Sequence, residues 1–143
     1  MIVVETGEIF ILRGVSDDPT KHVIDAPTDQ RHFYAQGEGT ELHLKCVTLM
    51  NGQHLDESGD FQSGGTLYAG IKAFVIVQSS IVTKSKGSLG GVFVVVGASM
   101  ELHDVLLENN SATVHGGTMY IDTGSILLVN SSTITSNSAS KQA

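Results

Sequence analysis

Six histidines, one cysteine and fifteen acidic side chains are the groups in this 143-residue sequence that could hold a metal or move a proton. His22, His32, His43, His54, His103 and His115 show no His-x-x-x-His spacing, and no Cys-x-x-Cys pair accompanies them, so the usual zinc ligand sets are not in view. Cys46 has no disulfide partner in the chain and reads as a small semi-buried residue. Asp56, Glu57 and Asp60 form the one tight acidic group; they lie in the polar stretch 51–60 and read as a solvated loop rather than a cation site. The remaining charge is uneven. Residues 1–63 hold eleven acids and four bases, a net −7, whereas residues 64–143 hold four of each. Neither part has the basic stripe that nucleic acid or an anionic membrane surface would demand. No catalytic, cofactor-binding or metal-ligating residue is expected, and no nucleic-acid partner.

The elements that would position any of these groups are set by a repeat. Gly64-Gly65, Gly90-Gly91 and Gly116-Gly117 are spaced by 26 residues both times. A constant internal period of this size marks stacked supersecondary units. Charged residues are scarce at 16%, and Val, Ile, Thr, Ser and Gly dominate, which favours strands and tight corners; no sustained 3.6-residue apolar period appears, so almost no helix is predicted. Aligning the units on their glycines gives apolar columns with a period of two: Leu67/Phe93/Met119 and Ala69/Val95/Ile121, then Phe74/Met100/Ile126 and Ile76/Leu102/Leu128. A third short strand is anchored by Ile81, Leu107 and Ile134, the last falling one place late. An earlier unit matches more loosely through His32-Phe33-Tyr34-Ala35, Leu42-His43-Leu44 and Val47-Thr48-Leu49.

Three short strands joined by corners too short for crossover helices bury their inward residues only by winding. The expected fold is therefore all-β: a right-handed single-stranded parallel β-helix, or solenoid, with about 26 residues and three strands per coil and four to five coils. Residues 1–30 are expected to form an irregular N-terminal coil or cap region, and 31–143 the coils of a single domain. The next Gly-Gly would fall near residue 143 and no capping segment is seen, so a segment of a longer solenoid, or an end covered by a partner, is expected.

The same alignment predicts what faces outward. Tyr34, Tyr68 and Tyr120 share one outward column, interrupted by Val94, and aromatic rows of this kind stack on sugar rings or form protein interfaces. Val75, Val77, Leu127 and Val129 are predicted to point outward on the next face, so a lateral surface packed against another protein or further coils is expected. Gln78, Asp104 and Asn130 fall in one column and read as a structural side-chain ladder at a corner. Thr66 and Thr118 flank Val92, too broken a row for the flat threonine arrays that bind ice.

Gly-Gly followed by an apolar strand, with Asn109-Asn110-Ser111-Ala112 or Ser136-Asn137-Ser138-Ala139 before the next coil, resembles the repeats of the polymorphic outer membrane protein type within the pectin-lyase-like superfamily. Arg31-His32-Phe33-Tyr34 and Val47-Thr48-Leu49-Met50-Asn51-Gly52 are similar to the opening coils of such domains, and the resemblance spans roughly residues 22–141. Thr or Val stands where those repeats usually carry alanine after Gly-Gly, and their Phe-x-x-Asn element is not clearly present. The resemblance implies an extracellular or cell-surface module acting in adhesion or surface architecture. It also implies an alternative, a fragment or glycan-binding module of a carbohydrate-active protein. Hydrolases of that kind need paired carboxylates, and lyases an Arg or Lys base. Glu101, Asp104, Glu108 and Asp122 are the only acids of the repeat region and do not converge in the alignment, so catalysis is not expected. Asn109-Asn110-Ser111 and Asn130-Ser131-Ser132 fit the glycosylation sequon, making Asn109 and Asn130 possible sites. The opening MIVVETGEIF lacks the features of a signal peptide, and no apolar run approaches a membrane span.

Overall fold

A computed structural model describes residues 1–141. Among these residues the architecture is all-β. The regular structure is sixteen strands and one 3₁₀ turn at Pro19–Lys21, where Asp18 accepts the Thr20 amide and Pro19 opens the turn. Every paired strand runs parallel to its neighbour.

Three sheets result. The first is ordered β1 (Ile2–Val4), β4 (Phe33–Ala35), β7 (Leu67–Ala69), β10 (Phe93–Val95) and β13 (Met119–Ile121). The second contains β2 (Ile9–Arg13), β5 (Glu41–Lys45), β8 (Phe74–Thr83), β11 (Ser99–Glu108) and β14 (Ile126–Asn130), with β3 (Val23–Asp25), β6 (Thr48–Met50) and β15 (Thr133–Thr135) paired along its far half. The third joins β9 (Lys86–Leu89), β12 (Ser111–His115) and β16 (Ser138–Ala139). Successive units contribute one strand each to a given sheet, an arrangement compatible with a β-helix. The N-terminal stretch follows the same rule, because β1 pairs with β4, β2 with β5 and β3 with β6.

The first sheet has the register that the glycine spacing predicts. Leu67, Phe93 and Met119 are direct partners, with Phe33 and Ile2 continuing the column. Leu67 and Phe93 are sealed inside, and Met119 packs against the core. Each fully buried side chain of this size contributes roughly 1.5–3 kcal/mol.

The second sheet is displaced by one residue from the predicted columns. Val75 pairs with Met100, which pairs in turn with Leu127, and Val77 with Leu102, which pairs with Val129. Val75 and Val77 are therefore core residues, each 0% exposed, and not part of an outer face. Leu127 packs against the core as well; Val129 lies on the same inward register but is 42% exposed at the last unit. Phe74, Ile76, Ile126 and Leu128 take the outward positions instead. The cause is a corner of unequal length. Residues 70–73 and 122–125 link first and second strands in two units, whereas only 96–98 do so between them. A fixed period carried past that shorter corner slips by one, and in a strand one residue exchanges the faces. The same slip moves the third-strand anchor from Ile81 to Val82, which pairs with Leu49 and Leu107; Ile134 continues that column.

The corners are turned by residues in the left-handed region, stacked unit on unit. Cys46, Ser79, Asp104 and Ser131 (φ 45 to 54°) bend the second sheet at its middle. Asn51, Lys84, Asn109 and Ser136 (φ 54 to 58°) form the next corner, and Gly64, Gly90 and Gly116 (φ 60 to 72°) the third. Left-handed backbone costs most side chains 1–2 kcal/mol or so, which is why Gly, Asn, Asp and Ser fill most of these places.

Candidate functional site

The outward column of the first sheet runs Val3, Tyr34, Tyr68, Val94, Tyr120 by direct strand register. Because Phe33, Leu67, Phe93 and Met119 are held inward, the residue after each must face out. Tyr34 and Tyr68 stack with ring centroids 5.2 Å apart and planes within 6° of parallel. The Tyr34 hydroxyl donates to Gln36 Oε1 at 2.5 Å. The Arg31 guanidinium carbon lies 5.6 Å from the Tyr68 ring centroid, within cation–π range. Burial pushes the Tyr68 phenol up, Tyr34 adds to that shift and Arg31 opposes it, so the hydroxyl stays protonated at neutral pH. Val94 shares the column but is buried, and the aromatic part of the column is the half-buried Tyr34–Tyr68 stack with Tyr120, also half-buried, two units beyond.

The neighbouring outward face differs in composition from the predicted one. Ile9, Glu41, Phe74, Ser99 and Ile126 form one column, and Ile11, His43, Ile76, Glu101 and Leu128 the next. Ile9, Ile11 and Ile126 are each more than 60% exposed, so this face does present apolar side chains, but from residues other than the predicted Val75, Val77, Leu127 and Val129. Two carboxylate–imidazole pairs are set into it: His43 Nε2 lies 3.0 Å from Glu41 Oε2, and His103 Nε2 lies 2.8 Å from Glu101 Oε2. The sequence carries a signal for them, since Glu-Leu-His occurs at both 41–43 and 101–103. The pairs lie on the outward face of the sheet, their side chains 31–41% exposed.

The predicted ladder of Gln78, Asp104 and Asn130 does not exist as one column. Gln78 and Asn130 both align with His103, while Asp104 is the left-handed corner residue one place on. The working ladder lies at the next corner. Asn110 Nδ2 donates to Val82 O (3.1 Å) and Asn137 Oδ1 (3.0 Å), Asn110 Oδ1 accepts from the Ser85 amide (2.9 Å), and Asn137 Nδ2 donates to Leu107 O (2.9 Å). Asn109, beside it, is exposed, as is Asn130.

Thr66 and Thr118 point inward, and Thr66 Oγ1 meets Ser85 Oγ at 2.6 Å, so no surface threonine row exists at this column. Asp56 serves its own loop, with Oδ1 accepting from the Ser58 amide and hydroxyl and the Asp60 amide, and Oδ2 from Gln62 Nε2; these bonds hold its carboxyl below the usual range. Among the described residues no three His, Cys, Asp or Glu side chains gather to hold a metal ion. Cys46 is buried and unpaired. No helix among the described residues is long and apolar enough to cross a membrane.

Comparison with protein-family models, with curated proteins and with solved structures finds no match to this chain. The family resemblance therefore rests on the repeat motifs alone.

Proposed function

We propose that this chain is a stretch of right-handed parallel β-helix that serves as a non-catalytic binding module, engaging a neighbouring protein through its outward aromatic face. The single observation that carries the reading is the outward-facing, half-buried, parallel Tyr34–Tyr68 stack backed by Arg31. Tyrosine and arginine are the residue types that concentrate binding energy at protein interfaces, and they lose little conformational freedom when already stacked. The exposed Ile9, Ile11, Ile126 and Leu128 on the adjacent face support a second lateral contact, with another protein or with further coils. An adhesive or architectural role at the cell surface, in the manner of the pectin-lyase-like repeats it resembles, is part of the same proposal. A second reading, a glycan-binding module of a carbohydrate-active protein, is favoured by the flatness of the tyrosine stack, which suits a sugar ring.

The test is site-specific photo-crosslinking in the native cells, with the probe at Tyr120 and, as control, at exposed Thr135. A discrete protein adduct from the first position only, lost in Tyr34→Glu/Tyr68→Glu, is expected. A glycan-array signal lost in that same double variant would favour the second reading. If neither appears, the tyrosine face is merely a sheet covering and the proposal is wrong.

A further inference from the structure

The outward face of the second sheet reads nearly the same from either end. Along the stacking direction its first column runs Ile9, Glu41, Phe74, Ser99, Ile126, and its second Ile11, His43, Ile76, Glu101, Leu128. Both alternate apolar, polar, apolar, polar, apolar about Phe74 and Ile76 of β8. The four outer aliphatic side chains are exposed and the two central ones half-buried. A contact between identical copies across a two-fold axis must be self-complementary: where residue i meets j, j meets i. A surface palindrome meets that requirement, whereas a patch shaped to an unrelated protein has no need of one.

We propose that this face joins two copies of the chain, sheet against sheet, with the two-fold axis running along β8. It rests on the reading of this face as a second lateral contact, whose partner it names, and makes no use of the tyrosines. Such an axis reverses the order of the strands and keeps their direction. Ile9 then falls over Ile126 of the second copy and Ile11 over Leu128, while Phe74 and Ile76 meet their own counterparts. The polar positions pair too, His43 with Glu101 and Glu41 with Ser99. A two-fold axis along the stacking direction would instead set Glu101 on Glu101 and Ile9 on Arg13, which opposes like charges and covers a cation with hydrocarbon. The pattern therefore selects one orientation. At the rim Lys45 comes over His103, whose ring lies 2.8 Å from the Glu101 carboxylate, so that cation has an acid beside it. At ordinary strand spacing and rise, five strands with five-residue outward stretches make a face of roughly 20 by 17 Å. That is less than the about 800 Å² each partner buries in a standard interface, so the dimer is weak, with a Kd on the order of micromolar to hundreds of micromolar.

Sedimentation equilibrium of the full chain across that concentration range should show reversible monomer–dimer exchange. Ile76→Glu sets carboxylate against carboxylate at the axis and should weaken the dimer by roughly tenfold or more. Orientation is read separately from Ile9→Cys and Ile126→Cys, substitutions at exposed positions that leave the core untouched. Mixed and oxidised, the two variants should give a disulfide-linked heterodimer. Neither should crosslink with itself, because the axis holds each position about four strand spacings, or 19 Å, from its own counterpart. A chain that stays monomeric throughout, a dimer unchanged by Ile76→Glu, or self-crosslinking without the mixed product overturns the proposal. Loss of the dimer in Tyr34→Glu/Tyr68→Glu would assign self-association to the tyrosine face and overturns it as well. Retention of the dimer in that variant, with loss in Ile76→Glu, supports it whether or not the Tyr120 probe finds a partner protein.

Discussion

At the scale of single residues, close backbone approach explains the glycine pairs better than flexibility does. A Cβ at Gly65 would stand 2.2 Å from the Lys86 carbonyl oxygen and 2.5 Å from that of Gly91, both fixed backbone of neighbouring segments. Gly65→Ala is expected to destabilise by about 1–3 kcal/mol or more, seen as a lower thermal midpoint, because the sheet spacing must open. Gly59→Ala is the control: its φ of +84° is strained for alanine, but nothing lies within 4 Å, so about 1 kcal/mol is expected. Equal losses would remove the packing argument. His32 gives a second prediction. Burial holds its imidazole below the ordinary 6.5, and the Ile24 carbonyl and Asp25 offset this only in part. As pH falls through 6.5 the unfolded chain takes up a proton that the folded one refuses, so stability drops, with a slope of at most about 1.4 kcal/mol per unit from this group. Urea midpoints followed from neutral to mildly acidic pH should fall less steeply in His32→Gln than in the unmodified chain; identical profiles would clear His32 of the effect.

At the scale of elements, the corners do what side-chain ladders were expected to do, but at a different place. Asn110 closes the second corner with buried bonds to Val82 O and the Ser85 amide and a part-buried one to Asn137. Asn110→Ala would leave two backbone groups unpaired, a loss of roughly 2–4 kcal/mol. Asn109→Ala, at the exposed left-handed position just before it, should cost on the order of 1 kcal/mol, and chemical denaturation of the two variants decides between them. The first sheet was legible in the sequence because the Gly-Gly pairs sit immediately before its strands, so no corner of variable length intervenes. The second sheet was not, because the three-residue corner 96–98 shortens one unit and turns Val75 and Val77 from outward to inward. Matching Val75-x-Val77 to Met100-x-Leu102 and Leu127-x-Val129, instead of counting residues, would have set the register. The tyrosine column survived since it belongs to the first sheet. The burial of Arg31 left no mark in the sequence: an arginine before an aromatic strand reads as surface until the structure shows it 6% exposed.

At the scale of the whole molecule, the ion pairs among the described residues all join side chains at least 30% exposed, so they add little and salt should change stability little. Cohesion comes instead from the apolar stack running from Val4 to Leu107, in which each unit buries its side chains against the units on either side. Phe93 sits at the middle of that stack, between Leu67 and Met119. Phe93→Ala removes its contacts with both neighbours at once and should cost about 3–5 kcal/mol. A column held only by nearest-neighbour burial also opens in order, from its less covered units inward. Amides of β14 and β15, whose strands are largely exposed, should exchange with solvent first, and those of β8 and β11 last, at the rate set by global unfolding. In Phe93→Ala the central strands should lose most of their protection while the exchange of β14 and β15 changes little, because those strands already open without global unfolding. Uniform protection along the chain would mean that the units do not stack as separable layers, and the three parallel sheets would then have to melt as one.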